Sequence, residues 1–255
     1  MPLFRLHLWP ERLLLLGPAF DTAFHRHHAA QFCIGLEGAV RLRREREAAW
    51  TSAAGFFVPP DAPHQFDAGG GAVALLYLEP ESLACAAPLR RQAQAGPFAM
   101  ADEAALAALR RLHGGSGEDP EMALRGFGGA APAAGRSRDP RVAAALQWIA
   151  AHLEAPVRLA AVAAAVHLSP GHLAHLFSAE VGVPLRRYVL WRRLRAALER
   201  AFAGDSLTAA AHAAGFADSA HLSRTFRANF GVTPSFLFEH RAGIAVRFEG
   251  AAAEG

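Results

Sequence analysis

The sequence predicts an α+β chain in two parts, with short β-strands in the first part and helices in the last part. Residues 1 to about 85 contain short apolar or alternating runs bounded by glycine and proline, as strands usually are. From Pro140 onward the spacing of apolar residues is helical almost throughout, and one helical unit recurs 49 residues further along the chain. The length of 255 residues allows one or two domains. We therefore expect a small β-barrel or sandwich followed by an all-α domain.

Three stretches of the first part carry the strand pattern. "AVRLR" places Val40 and Leu42 on one face and Arg41 and Arg43 on the other, which is typical of a half-buried strand. "FFVPP" and "AVALLYL" are short apolar runs next to turn residues, which indicates buried strands. Frequent short strands with turns between them favour a barrel or two packed sheets.

The segment between the two parts contains one clear helix and a region rich in glycine and proline. "DEAALAALRRLH", residues 102–113, is a predicted helix with Leu106 and Leu109 on one side, and this side either contacts a second copy of the chain or packs on the barrel. Residues 114–139 are typical of a linker, with one short helix around Met122. The predicted boundaries are 1–113 for the barrel, 114–139 for the linker, 140–241 for the helical domain and 242–255 for a disordered tail.

Charge favours a nucleic-acid partner for the helical part. The whole chain carries a net charge of +3, whereas residues 140–241 contain 11 arginines against 6 acidic residues. A basic segment beside a near-neutral one is typical of proteins that bind nucleic acid.

The N-terminal sequence and the cysteines predict a protein of the reduced cytoplasm with no membrane partner. Glu11 and Arg12 interrupt the start "MPLFRLHLWPERLLLLGP", so it lacks the apolar core of a signal peptide, and no run is long enough to cross a membrane. Cys33 and Cys85 are far apart and form no CxxC motif, which argues against a disulfide framework.

The repeated unit consists of an alanine-rich helix, a short turn and a second helix. "HLAHLFSAEVGV" begins at His172 and "HLSRTFRANFGV" begins at His221, and His, Leu, Phe, Ala, Gly and Val recur in register. Each second helix has an apolar stripe at four-residue spacing and a more polar face opposite to it. The stripe comprises Leu173, Phe177 and Val181 in the first copy and Leu222, Phe226 and Phe230 in the second.

The turns of the two copies predict helix-turn-helix units. Gly215 supplies a sharp turn in the second copy, and Asp218 or Ser219 can cap the following helix, as Ser169 can in the first copy. His167 stands at the turn position of the first copy, so we expect a distorted turn there. The second helix of such a unit enters the major groove of DNA. A helical hairpin bundle without a DNA role is the alternative.

Two long stretches carry a family resemblance: "SPGHLAHLFSAEVGVPLRRYVLWRRLRAAL" and "LTAAAHAAGFADSAHLSRTFRANFGVTPS". Over residues 140–238 the chain resembles the DNA-binding domain of the AraC/XylS family of bacterial transcription regulators. The resemblance implies two helix-turn-helix units joined by a helix over Leu185–Phe202. Arg193 matches an arginine that has a structural role in the family.

The same resemblance implies a set of DNA-contacting residues. The short side chains of Gly171 and Ala174 predict weaker sequence reading by the first unit than by the second. The implied base-reading residues are Gly171, Ala174, His175, Ala220 and Arg224, and the implied phosphate contacts are Arg186, Arg187 and Arg227. The remaining residues of the predicted DNA interface are Ser169, His172, Ser178, Ser219 and His221.

Two motifs of the first part resemble those of cupin barrels, the fold that AraC-type regulators use for sensing. They are "HRHHAAQFCIGLEG", from His25 to Gly38, and "PPDAPHQF", which contains His64. The resemblance implies an effector pocket lined by His25, His27, Gln31 and His64. Since side chains alternate along a strand, His25 and His27 point to the same face.

Three interpretations of this pocket stay open. It binds an effector without a metal, it holds a divalent metal on His25, His27 and His64, or its polar side chains only satisfy one another inside the barrel. Gln31 stands where a metal-binding cupin has glutamate, and its amide is a weaker, uncharged ligand. His28 replaces His27 if the register is shifted by one residue.

We expect a ligand-responsive transcription regulator and not an enzyme. Its partners would be double-stranded DNA, a small-molecule effector, a second copy of the chain and, for an activator, RNA polymerase. The sequence contains no nucleophile elbow, phosphate-binding loop or carboxylate pair with a clear role. A metal-dependent cupin enzyme fused to a DNA-binding domain and a helical interaction protein that binds no DNA are the alternatives.

Overall fold

The computed structural model describes residues 3–82, 103–115, 119–128, 139–239 and 241–249. Within these ranges, residues up to 128 and from Arg227 onward form one compact unit, which we call the sheet unit. Residues from 139 to Phe226 form the other, which we call the helical unit. Cys85 and half of the predicted linker, residues 116–118 and 129–138, lie outside the described residues.

The sheet unit contains two β-sheets, which confirms the β-rich first part. Its strands are β1 Phe4–Trp9, β2 Arg12–Gly17, β3 Ala30–Gly35, β4 Val40–Arg43, β5 Thr51–Ala53, β6 Gly55–Val58, β7 Gln65–Asp67, β8 Val73–Leu78 and β9 Ile244–Phe248. One sheet has the order β6-β3-β8-β2-β1-β9 and the other has the order β5-β4-β7. In β4 the predicted alternation is present, since Val40 and Leu42 are buried and Arg41 is exposed.

Two helices cover one face of the six-stranded sheet. They are α1 Glu103–His113 and α2 Pro120–Gly128, and the second is the short helix predicted around Met122. Phe32 of β3 and Leu76 of β8 share a buried core with Leu109 of α1 and Phe127 of α2. Because side chains alternate along each strand, Gln31, which neighbours Phe32, belongs to the opposite face of the sheet.

The apolar side of α1 packs in this core. Leu106 and Leu109 are 1% and 0% exposed. The predicted contact of this side with a second copy of the chain is therefore wrong, and the alternative, packing on the first part of the chain, is confirmed. The leucine spacing showed that one side of the helix is buried but could not show what covers it.

Residues 244–248 form a strand, not the disordered tail predicted from residue 242 onward. β9 pairs with β1 in parallel, with Phe4 opposite Ile244 and Leu8 opposite Phe248. The backbone N–H of Glu249 extends the pairing by donating to the Leu8 carbonyl at 2.7 Å. The run "IAVRF" has the β-branched and aromatic residues that favour strands, and this signal was overlooked.

The helical unit contains α3 Pro140–Ala151, α4 Leu159–Ala165, α5 Pro170–Val181, α6 Leu185–Ala203, α7 Leu207–Ala213 and the first part of α8 Ser219–Phe230. The joining helix predicted over Leu185–Phe202 is confirmed as α6. Val142 of α3, Val162 of α4 and Phe177 of α5 pack in one core with the start of α6. The predicted end of the helical domain at residue 241 differs from the structure, because the end of α8 and α9 (Pro234–Glu239) group with the sheet unit.

Among the described residues, no single helix has the length and hydropathy of a membrane span. α4 and α5 pass that test only as a pair, and the pair is bent by 89°.

Shortening Leu109 tests the packing of α1. Because Leu109 is fully buried, we expect Leu109→Ala to lower the free energy of unfolding by about 2–5 kcal/mol in a urea titration. Met122→Ala is the control, since Met122 is half exposed, and we expect a change within about 0.5 kcal/mol. A loss for Leu109→Ala that grows on dilution of the protein would instead place this leucine in a contact between copies.

Candidate functional site

The two helix-turn-helix units have the same backbone geometry. α4 and α7 each have 7 residues, and α5 and α8 each have 12. His167 and Gly215 both adopt the left-handed conformation at the turn, with φ of 55° and 78°. The predicted distortion of the first turn is therefore wrong, because His167 itself takes the conformation that glycine favours. The equivalent turn hydrogen bonds run from the Leu168 N–H to the Ala163 carbonyl and from the Phe216 N–H to the Ala211 carbonyl, each at 2.9 Å.

At Gly215, neighbouring atoms also leave no room for a side chain, whereas His167 carries one at the equivalent turn. A Cβ at Gly215 would lie 2.5 Å from the carbonyl oxygen of Leu153 and 2.8 Å from Cζ of Arg193. Arg193 donates to the carbonyls of Leu153 at 3.1 Å and Ala155 at 2.7 Å. The guanidinium therefore fixes the chain after α3 against the second turn, which confirms the structural role expected for Arg193.

The second helix of each unit begins with a side-chain cap. Ser169 accepts the backbone N–H of His172 at 3.3 Å, and Asp218 accepts that of His221 at 2.6 Å. Of the two predicted caps of the second copy, Asp218 is the one used, since Ser219 is already the first residue of α8. The hydrogen bond from His221 lowers the pKa of the Asp218 carboxyl.

The sheet unit brings three buried imidazoles together. The backbones of His25 and His64 form an antiparallel bridge, with both N–H···O distances at 2.9 Å. The ring centroids of His25 and His64 are 4.1 Å apart, those of His27 and His64 are 5.2 Å apart, and those of His25 and His27 are 5.6 Å apart. We call these three residues the histidine cluster, and the structure thus confirms that they share one face.

Burial keeps the cluster uncharged, and three backbone carbonyls fix the tautomers of its rings. Desolvation lowers the pKa of His25 to about 3 and that of His27 to about 4, and it lowers the pKa of His64 well below its usual value. Because a carbonyl oxygen only accepts, a neutral ring that faces one through Nδ1 carries its hydrogen there and a lone pair on Nε2. The carbonyls of Ala23, Ala29 and Ala62 face Nδ1 of His25, His27 and His64 at 2.8, 2.8 and 3.0 Å.

Gln31 bridges two of the Nε2 atoms. Its side-chain oxygen Oε1 lies 2.9 Å from Nε2 of His27 and 3.1 Å from Nε2 of His64, and a 180° rotation of the amide places the NH2 group there instead. Since both Nε2 atoms offer lone pairs, these contacts are hydrogen bonds when the NH2 group of the amide faces the rings, an orientation set by the hydrogen-bond network. One neutral amide therefore satisfies two imidazoles at once.

The donor set of the cluster fits a metal ion. One ring nitrogen from each histidine lies within 4.8 Å of the other two. Nε2 of His25 is buried without a hydrogen-bond partner among the described residues, although such atoms are rare in proteins. Carbonyl acceptors on the remote ring nitrogen are the usual arrangement behind metal-bound histidines. His28 does not replace His27, because its Nε2 faces the carboxylate of Glu81 at 3.0 Å.

Sequence reasoning missed the residues that cover the cluster. The Phe230 ring lies 5.8 Å from Tyr77 and 6.5 Å from His27 between centroids. A Cβ at Gly231 would lie 2.7 Å from Nδ1 of His25. Phe230 was assigned to the apolar stripe of α8 and Gly231 has the pattern of a helix end, so no sequence signal pointed to this contact.

Comparison with known proteins supports the helix-turn-helix interpretation of the helical part. A helix-turn-helix domain family matches residues 162–240. The regulatory protein Ada of Salmonella typhimurium is 39% identical over 98 residues, which are 37% of this chain and 27% of Ada. The regulatory protein PocR of the same organism is 33% identical over 97 residues, which are 38% of this chain and 32% of PocR. The matched segment is thus a minor part of both relatives.

The family match runs from α4 through α6 to the end of α9, so it includes both turns and the helix that joins them. The matched segment of this chain is a helix-turn-helix domain similar to those of Ada and PocR. ToxT from Vibrio cholerae shares the two-part fold, with a TM-score of 0.59 at 11% identity over 91% of this chain and 99% of ToxT. ToxT bound to (E)-4-(8-methylnaphthalen-1-yl)but-3-enoic acid gives a TM-score of 0.59 at 10% identity, over 91% of this chain and 99% of that one.

In this helix-turn-helix domain, none of the residues predicted to contact DNA is buried. Ser169 and His221 also have structural partners, since Ser169 caps α5 and the His221 ring packs edge-on against Phe216. The exposed residues are Ser169, Gly171, His172, His175, Arg186, Ala220, Arg224 and Arg227, and the half-buried ones are Ala174, Ser178, Arg187, Ser219 and His221. Their contacts with DNA stay a prediction.

Gly215→Ala tests the packed second turn. The substitution adds a methyl group against the Leu153 carbonyl at a positive φ, so we expect a loss of about 1–3 kcal/mol in the free energy of unfolding. His167→Gly is the matched change at the first turn, where we expect a shift within about 1 kcal/mol. Equal losses in the free energy of unfolding of the two variants, measured by urea titration, would show that the second turn is no more tightly packed than the first.

The buried histidines predict a loss of stability in mild acid. The unfolded chain takes up protons below pH 6.5, whereas the cluster stays neutral down to about pH 4, so lowering the pH through this window favours unfolding. The cost is about 2 kcal/mol for each such histidine between pH 7 and pH 5. Urea titrations in EDTA should show a smaller pH slope for His64→Gln and the wild-type slope for His175→Gln, a surface change. Equal slopes for all three proteins would show that the cluster does not titrate in this way.

Proposed function

We propose that this chain is a sequence-specific DNA-binding transcription regulator whose sheet unit senses a small molecule. The observation that carries the proposal is the pair of geometrically matched helix-turn-helix units joined by α6, in a segment that matches a helix-turn-helix family. The proposed location is the cytoplasm.

The recognition helices are α5 and α8, and they read DNA unequally. Arg224 is exposed on α8, and a guanidinium can donate two hydrogen bonds to O6 and N7 of guanine in the major groove. Gly171 and Ala174 of α5 offer no hydrogen-bonding side chain, so His175 supplies the polar contact of the first unit. Most of the sequence preference therefore comes from α8.

Phosphate contacts position the domain on DNA. Arg186 and Arg187 lie in the first turn of α6, which begins after Pro184 without a side-chain cap, so the positive end of the helix dipole and the two guanidinium groups favour an anion at the same helix end. Arg227 is exposed on α8 one turn after Arg224 and extends the basic surface of that helix. Such contacts add affinity without sequence preference.

The proposed effector pocket is the buried region around the histidine cluster, Gln31 and Tyr77. It has cupin-like sequence motifs, and its polar groups converge in an otherwise apolar interior. ToxT, which shares the fold, has been solved with an unsaturated fatty acid bound. Small-molecule sensing by this chain is proposed on these grounds, and a homodimer and contact with RNA polymerase rest on the family resemblance alone.

Arginine substitutions test the assignment of base and phosphate contacts. The duplex is first selected from a random pool with the full-length protein. We expect Arg224→Ala to lose about 1–3 kcal/mol on the selected duplex and to relax its preference over random DNA, because a base contact is removed. Arg186→Ala should weaken both duplexes alike and reduce the salt slope of binding by about 1.

Fluorescence anisotropy at several salt concentrations measures both effects. Equal weakening of selected and random DNA by Arg224→Ala would contradict the base-reading role of this residue. Failure of the wild-type protein to bind any duplex, even at low salt, would contradict the proposed function.

A further inference from the structure

We infer that the histidine cluster binds one divalent transition-metal ion and that the last turn of α8 transmits its occupancy to DNA binding. The inference rests on the proposed DNA-binding function and adds a ligand class and a route of regulation to it. The route uses contacts among residues of the sheet unit, to which the end of α8 belongs.

The donor atoms select the class of metal. Three neutral imidazoles offer lone pairs from Nε2, and one of them, on His25, has no other partner among the described residues. Imidazole suits Zn²⁺, Fe²⁺, Ni²⁺ and Cu²⁺, whereas Mg²⁺ and Ca²⁺ require oxygen ligands. Zinc–nitrogen bonds are about 2.0–2.1 Å long, so nitrogens within 4.8 Å of one another need only small ring movements to reach one ion.

Gln31 can serve both the metal-free and the metal-bound cluster. Without metal, the Gln31 amide contacts Nε2 of His27 and His64, and it donates to both when its NH2 group is turned toward them. A metal ion takes those lone pairs, and the amide then satisfies the site by turning its carbonyl oxygen toward the ion. Since the neutral amide brings no charge, the ion keeps its positive charge and an open position for a water or an anion.

The backbone of Ala23 connects the cluster to the end of α8. The carbonyl of Ala23 accepts from Nδ1 of His25 at 2.8 Å, and the N–H of Ala23 donates to the carbonyl of Gly231 at 2.8 Å. Gly231 follows directly on the last residue of α8 and leaves no room for a Cβ beside the His25 ring and Thr22. The N–H of Arg26 also points to the carbonyl of Ala228, at 3.4 Å. A shift of the His25 ring toward a metal therefore acts on the end of α8.

The same helix carries the proposed base-reading and phosphate-contacting arginines. Arg224 and Arg227 lie within the last two turns of α8, directly before the residues that contact the cluster. A helix transmits a displacement of its end along its hydrogen-bonded backbone. Phe230, whose ring neighbours His27 and Tyr77, couples a second histidine of the cluster to the same turn.

The duplication provides a matched control for this contact. Gly182 ends α5 as Gly231 ends α8, and both are left-handed, with φ of 86° and 71°. A Cβ at Gly182 meets nothing within 4 Å, whereas one at Gly231 would lie 2.6 Å from Thr22 and 2.7 Å from His25. Gly182→Ala therefore introduces the same backbone strain as Gly231→Ala without the contact to the cluster.

The experiment compares full-length protein stripped with EDTA and reloaded with zinc sulfate. Elemental analysis and calorimetry measure zinc binding, and anisotropy measures affinity for the selected duplex. We expect one zinc ion per wild-type chain and a change in DNA affinity on the order of 5–150-fold on loading. His64→Gln should lose stoichiometric zinc and the zinc effect, and Gly231→Ala should lose most of the zinc effect, whereas Gly182→Ala should keep both.

Hydrogen exchange of the wild-type protein covers the case in which Gly231→Ala does not fold. We expect zinc to change exchange at residues 22–26 and 227–231 together. Absence of stoichiometric zinc overturns the metal site. Bound zinc with unchanged DNA affinity, or an equal zinc effect in Gly231→Ala and Gly182→Ala, overturns the coupling. Lack of DNA binding by both forms overturns the proposed function and the coupling with it, while zinc stoichiometry still decides the metal site.

Discussion

The central strands β3 and β8 of the six-stranded sheet are buried on both faces, and the chemistry of the sheet unit depends on this burial. β3 and β8 have no exposed residue along their length, although only one face of the sheet is covered by α1 and α2. Polar side chains on the other face cannot use water, so they have to be neutral and hydrogen-bonded within the protein. His27, His64 and Gln31 meet this condition through backbone carbonyls and a shared amide. The same arrangement brings one nitrogen of each of His25, His27 and His64 within 4.8 Å of the other two.

The two helix-turn-helix units share one backbone geometry, although different contacts surround their turns. Both turns require a left-handed residue, and histidine provides it at His167, where the side chain is exposed to solvent. At Gly215 the carbonyl of Leu153 and the guanidinium of Arg193 occupy the space of a side chain, so only glycine fits. The geometry was therefore preserved in both copies, while the exposed faces of α5 and α8 diverged. This divergence is what makes one recognition helix basic and the other nearly free of charge.

The sequence was sufficient for features that depend on local periodicity. Alternation in "AVRLR", the four-residue stripes and the recurring turn predicted strands, helices and both helix-turn-helix units, and the spacing of His25 and His27 placed both on one face. It was not sufficient where the partner of a buried residue is distant in the chain. Leu106 was clearly on a buried side, but whether a sheet or a second copy covers it is a property of the fold. The pairing of β9 with β1, at the other end of the chain, is likewise a property of the fold, although the residues of "IAVRF" favour a strand.

Phe230 and Gly231 show both what periodicity predicts and what it misses. Periodicity correctly gave Leu222, Phe226 and Phe230 one stripe of α8, yet Phe226 ends the helical unit and Phe230 packs with Tyr77 in the sheet unit. A Cβ at Gly231 would lie 2.7 Å from Nδ1 of His25, so the chain directly after α8 has no room for a side chain beside the histidine cluster. Local periodicity could not predict either contact, because His25 and Tyr77 are more than 150 residues away from Phe230 and Gly231 in the chain.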